Sequence, residues 1–218
     1  MNTVTGNHTH RDTARRLLQT AGTTYAAEAG IRLGNTPAPL YRTLLLAVLL
    51  STRIRAPIAV AATNELIKAG LATPRRMLGA PWQERVDALG RGHYVRYDES
   101  TATALGQGAE LLTQQYSGDL RKLRHAADGD GAAIRTRLQE HPKLGPVGAH
   151  IFCREAQQVW PELRPYLDKK AADGAAKLGL PDNAAELAEL VDDEDLARFA
   201  AALVRVTLEK DVAARVLS

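Results

Sequence analysis

The amino-acid sequence predicts an all-α protein on three observations. Ala, Leu, Arg and Glu are abundant in a chain with 2 Phe and 2 Trp, and small or straight-chain side chains lose little freedom in a helix. The most apolar run, Leu44–Leu50, lies inside a segment, Tyr41–Thr52, that is too long for an ordinary buried strand once its flanks are included. Glycine and proline punctuate the remainder at helix-length intervals, and no stretch reads as a strand or as an internal repeat.

Element by element, residues 1–10 are polar and read as a flexible tail; His8 and His10 within it make a metal site only on a weaker reading. A helix is expected from Arg11 towards Ala29, stopped by Gly30, with a loop through Gly34 to Pro39. Tyr41–Thr52 is the central helix, buried nearly all round. Pro57 opens a further helix that Gly70 closes. Short helices follow Thr73-Pro74 and Ala80-Pro81, and a loop, Gly90–Tyr94, leads to helices over Asp98–Tyr116 and Asp119–Ala127. Asp130 caps a helix over Ala132–Glu140. The segment His141–Val147 leads into a helix through Val159, Pro161 and Pro165 interrupt, and helices over Asp168–Leu178, Ala184–Leu190 and Asp193–Leu217 complete the chain. The order of elements divides the chain into a helical-barrel subdomain at 38–140 and a second helical subdomain made of 11–37 with 141–218.

Composition narrows the function classes. The 218 residues are 45% hydrophobic, enough to build a sizeable core. A net charge of +3 and a pI near 9.1 permit a nucleic-acid partner without demanding one. The one cysteine, Cys153, rules out an internal disulfide and a four-thiolate iron–sulphur cluster within one chain; it reads as a small buried apolar group. The N-terminus lacks an apolar signal core and the longest apolar run is far too short to span a bilayer. A soluble cytoplasmic monomer, nucleoid-associated in a bacterial setting, is the expectation.

The chemistry concentrates in Leu138–Pro181. Leu144-Gly145-Pro146-Val147-Gly148 forms a tight turn between helices, able to aim backbone N–H groups and a helix N-terminus at a phosphate. Eighteen residues beyond His150, at the head of the next predicted helix, stands Asp168, which would serve equally as an N-cap.

These residues resemble the helix-hairpin-helix DNA glycosylase superfamily, its endonuclease III branch in particular. Gly145, Val147 and Gly148 fall on the family's hairpin, His150 on the lysine of its lyase-active members and Asp168 on its catalytic aspartate. Lys177-Leu178-Gly179-Leu180-Pro181 resembles the text after the aspartate helix, and Leu44–Ser51 the buried core helix before the DNA-probing loop. The resemblance, spanning residues 38–181, implies two helical subdomains with the active-site cleft between them. It implies duplex DNA with a damaged base or an abasic site as partner, and base excision as function. Asp168 would stabilise the cationic sugar and orient water, with His150 in the site. Lys143, Gly145, Val147, Gly148, Lys169 and Lys170 would hold the backbone. Arg53 would fill the gap left by an extruded base, and His93 and Tyr94 would occupy a loop that wedges the duplex.

Four departures shape the expectation. Gly145-Pro146 inverts the family's order, so a phosphate donor is lost. His150 cannot form the stable imine of a lysine amine, which implies a monofunctional glycosylase with weak or no lyase activity, or one borrowed from Lys169 or Lys170. The cluster cysteines are missing, so no iron–sulphur cofactor is expected; a monovalent cation at the hairpin stays open. Arg53 and Arg55 replace the usual residues of the probing loop. The plainer readings stand beside these: Asp168 as a cap, the 144–148 segment as an ordinary turn, Arg53 and Arg55 as a solvated pair, Trp82 and Trp160 as core anchors. At the level of the whole protein the alternatives are a non-catalytic lesion-recognition protein of the same fold and a helical interaction protein.

Overall fold

The computed structural model describes residues 3–218, with side chains from Thr9 onward; Met1, Asn2 and the His8 side chain lie outside the described residues. Among these residues there is no strand. The helices are α1 (Thr3–Ala21), α2 (Tyr25–Glu28), α3 (Pro37–Leu50), α4 (Ala56–Lys68), α5 (Pro74–Gly79), α6 (Trp82–Arg91), α7 (Asp98–Tyr116), α8 (Leu120–Ala126), α9 (Gly131–Leu138), α10 (Gly145–Ala156), α11 (Lys169–Lys177), α12 (Ala184–Ala188), α13 (Leu196–Leu208) and α14 (Lys210–Leu217), with 3-10 turns at Pro161–Leu163 and Asp193–Asp195. None of the described helices is long and apolar enough to cross a membrane.

The larger of two compact units runs from Tyr25 to Cys153. Its centre is α3, where Leu44 to Leu49 are all withdrawn from solvent; Pro37 at its start supplies a preset φ where an N–H would have no helical partner. α4 and α8 pack on α3, α6 packs on α4, and α5, α6 and α8 pack on α7. Capping side chains lie where their oxygens meet free N–H groups: Asp130 on Ala132, as expected, and also Thr73 on Arg76 and Asp119 on Arg121.

The smaller unit joins the N-terminal segment through Thr24 to Arg154–Ser218. Here α13 is the buried axis, with Phe199, Ala202 and Leu203 in one cluster with Ala14 and Leu17 of α1 and Ala171 and Ala175 of α11. α11 approaches α13 so closely that a Cβ on Gly174 would overlap the Leu203 carbonyl.

Several boundaries differ from the sequence reading. α1 starts at Thr3, within the stretch expected to be a tail, and stops at Ala21; Tyr25–Glu28 forms a separate turn of helix because Tyr25, Ala26, Ala29 and Ile31 pack against Leu46 of α3. That packing assigns residues 25–37 to the larger unit, and 141–153 belong to it as well. The helix expected over Asp193–Leu217 breaks at Glu209, whose backbone is extended (φ −116°, ψ 116°). Its N–H still donates to the Arg205 carbonyl and its carboxylate pairs with Arg205 at 2.9 Å. Trp160 is fully buried as expected, whereas Trp82 is 41% exposed and donates its indole N–H to Thr103, so it is no core anchor. Cys153 is buried.

Candidate functional site

In the larger unit the hairpin is built on two anchors. His141 is buried, its Nδ1 lies 2.9 Å from the Pro142 carbonyl, and its Nε2 faces Gly108 of α7, where a Cβ would overlap the ring. The close approach therefore requires glycine at 108. Burial pushes the His141 pKa down to about 4, so the imidazole is neutral near pH 7. The second anchor is Lys143, in left-handed backbone with φ 63°. Its Nζ donates to Ser100 and Thr101 at 2.5 and 3.3 Å, and its carbonyl accepts from Ser51 at 3.2 Å. Desolvation lowers its pKa. Lys143 thus ties the hairpin to the head of α7, and is less a free phosphate contact than expected.

α10 begins at Gly145, earlier than the sequence suggests. Leu144 donates its N–H to His141, and the Gly148 N–H donates to the Leu144 carbonyl. Gly148 is buried and its donor is spent, which removes it from the set of phosphate contacts. Pro146 has no N–H. The donors that the first turn leaves for an anion are those of Gly145 and Val147, and the Val147 side chain beside them is 61% exposed.

Two further loops border this unit's surface. In the 51–55 loop, Arg53 and Arg55 are exposed and form no ion pair among the described residues. Thr52 turns inward and shares a 2.9 Å hydrogen bond with the Tyr94 hydroxyl. Tyr94 is completely buried, so it braces the loops from beneath and cannot itself touch DNA. His93 (φ 62°) is exposed, and next to it stand exposed Val95 and Arg96, the latter 5.2 Å over the Tyr97 ring. Arg96 and Tyr97 escaped the sequence reading; a cation beside an aromatic in the loop after Gly92 was the available signal. His150 is half-buried on α10.

In the smaller unit Asp168 caps α11, its Oδ1 accepting the Ala171 N–H at 3.2 Å. Its Oδ2 accepts from Nη1 of Arg154 at 2.7 Å, and both side chains are only 9% exposed. Removing one partner from such a pair leaves an uncompensated buried charge, a loss of about 3–5 kcal/mol. The strap before Asp168 is fastened too. Gln157 Nε2 donates to the carbonyls of Arg154 and Tyr166 at 3.0 and 3.1 Å, and its Oε1 accepts the Tyr166 N–H at 2.9 Å. Arg164 donates to the carbonyls of Gln157 and Gln158, both at 2.7 Å. Neither Arg154 nor Gln157 was singled out in the sequence. Lys169 and Lys170 are exposed, and Lys169 pairs with Asp173 at 3.0 Å. No group of three His, Cys, Asp or Glu among the described residues is placed to hold a metal ion.

No family model and no curated protein sequence matches the chain. Solved structures do match its fold. One is a trapped endonuclease III–DNA covalent intermediate, an estranged-adenine complex, with a TM-score of 0.55 at 16% identity over 94% of this chain and 86% of that one. Another is a non-covalent endonuclease III–DNA complex, with a TM-score of 0.57 at the same identity and coverage. The all-α fold of this protein is that of endonuclease III.

Proposed function

We propose that this protein is a DNA-repair N-glycosylase. It binds duplex DNA carrying a damaged or mispaired base, turns that nucleotide out of the stack and hydrolyses its glycosidic bond. The observation that carries the reading is Asp168: an ion-paired carboxylate almost withdrawn from water, at the head of a helix, in a chain with the endonuclease III fold. A carboxylate of this kind stabilises positive charge developing on the sugar. The C1′–N bond breaks with its electron pair leaving on the base. Water then bonds to C1′, and its proton passes through Asp168 to solvent.

Water is the nucleophile in this reading because His150, at the position that resembles the lyase lysine, offers no amine for an imine. The backbone N–H groups of Gly145 and Val147 take one phosphate, and Arg53, Arg96 and Lys170 supply further cations. The reaction draws on no iron–sulphur cluster. With a single cysteine the chain cannot ligate a cluster through thiolates.

A second reading is a lesion-recognition protein without catalysis. It is favoured by the two oxygens of Asp168, each of which already holds a donor. The deciding experiment measures base release from duplexes with one lesion each, comparing wild type with Asp168→Asn and scoring strand breaks before and after hot alkali. Release by wild type alone, with breaks only after alkali, is expected. Tight, salt-sensitive binding with no release from any duplex would overturn catalysis in favour of recognition.

A further inference from the structure

We infer that Arg154 is the positioning residue for Asp168, an inference that rests on the glycosylase reading above. An aspartate needs no cation to cap a helix. Asp130 caps α9 through the Ala132 N–H with no cation on it among the described residues, and Asn183 caps α12 with no charge at all. Asp168 differs. It carries an arginine whose side chain, like its own, is 9% exposed, and burying two charges is costly unless their geometry is well satisfied. The pair is therefore more than capping requires.

What it adds is orientation. The Ala171 N–H fixes Oδ1, and Arg154 Nη1 fixes Oδ2 from the side of α10. Two donors on two oxygens restrain rotation of the carboxylate plane. The backbone beneath it is set by the same end of α10, because Gln157 clamps Tyr166 through both its donor and its acceptor. Arg154 thus holds the reacting carboxylate at one angle to the sugar, while Gln157 sets the height of the strap that carries it. The remaining lone pairs of Asp168 are the ones available to the anomeric carbon and its water. Misplacement by about 1 Å costs roughly 100-fold in rate at such a site.

The test uses the full chain and a duplex lesion that the wild type processes. Single-turnover base release and the Kd for a tetrahydrofuran-containing duplex are measured for wild type, Arg154→Met, Arg154→Gln and Arg154→Lys, with thermal melting to establish the folded fraction. Arg154→Met is expected to release base about 100-fold more slowly with unchanged Kd, and Arg154→Lys to recover part of that loss. If Arg154→Met does not fold, faster release by Arg154→Lys than by Arg154→Gln carries the same conclusion. Wild-type rates in Arg154→Met, or equal losses in the Lys and Gln variants, would overturn the positioning role while the glycosylase reading stood. Absence of base release by the wild type from every duplex would remove that reading and the inference with it.

Discussion

The hydroxyls of Thr52 and Tyr94 meet at 2.9 Å, joining the 51–55 loop to the loop that follows α6. Tyr94 reaches this point from within the core, since none of it is exposed. The bond therefore fixes the exposed Arg53 relative to the exposed His93 by a contact that neither of them makes. Tyr94→Phe keeps the packing and deletes the bond, with an expected loss of about 1 kcal/mol. For a chain of this size that lowers Tm by about 2–4 °C. Affinity for an abasic-site duplex should fall with it, as the loops lose their common brace. Thermal melting and a binding titration check both; unchanged affinity would separate the brace from the DNA surface.

His141 gives the protein a pH-dependent stability. Its folded pKa is depressed to about 4 by burial, against 6.5 for a free imidazole. The unfolded chain therefore takes up a proton between pH 6.5 and about 4 that the folded chain refuses. Stability rises with pH across that window and is level, as far as this residue is concerned, above it. The full effect is of order 3 kcal/mol at most. Urea melts at pH 4.5 and pH 7.5 should show the wild type weaker at the lower pH, with the difference reduced in His141→Gln. An equal difference in the variant would assign the acid sensitivity elsewhere.

Pro146 sits in the first turn of α10, where it deletes one of the N–H groups that an anion would meet. Pro146→Ala restores that donor without adding a charge. Duplex binding is expected to tighten about fivefold, the worth of one added hydrogen bond, with the salt dependence of Kd unchanged. A fluorescence anisotropy titration at two salt concentrations measures it. No change in affinity would mean that this turn does not face the phosphate backbone, leaving it the ordinary interhelical turn that its sequence also allows.

The all-α class, most of the helices and the caps at Asp130 and Asp168 were legible in the sequence because they follow from local chemistry, each cap acting on residues within a turn of itself; Pro37, which opens α3, sits in a stretch that reads as loop. What escaped depends on distant contacts. Arg154 lies one helical turn beyond His150 and looks like any arginine of a helix; only the strap from Gln157 to Leu167 returns Asp168 to it. Tyr94 stands among glycines and polar residues, a context that reads as an exposed loop, yet it is buried. The break at Glu209 has neither glycine nor proline to announce it. Lys143 looked like a free cation because the hydroxyls of Ser100 and Thr101 lie over forty residues away in sequence.

Gly174 offers the most direct test of how α11, and with it Asp168, is seated in the smaller unit. Alanine in a helix interior normally gains about 1 kcal/mol over glycine. At position 174 the added Cβ would overlap the backbone carbonyl of Leu203 on α13, and a backbone atom in a buried helix cannot swing aside as a side-chain tip can. Overpacking of this kind costs about 1–3 kcal/mol, so Gly174→Ala is expected to be destabilised despite its better helix propensity. The helices must part to accept the methyl group, and the displacement passes along α11 to its cap. Single-turnover base release by the folded variant should therefore fall together with Tm. A raised Tm would mean that α11 and α13 are more loosely packed than the Leu203 contact implies. A lowered Tm with an unchanged rate would mean that Arg154 and Gln157 hold Asp168 independently of the helix it caps.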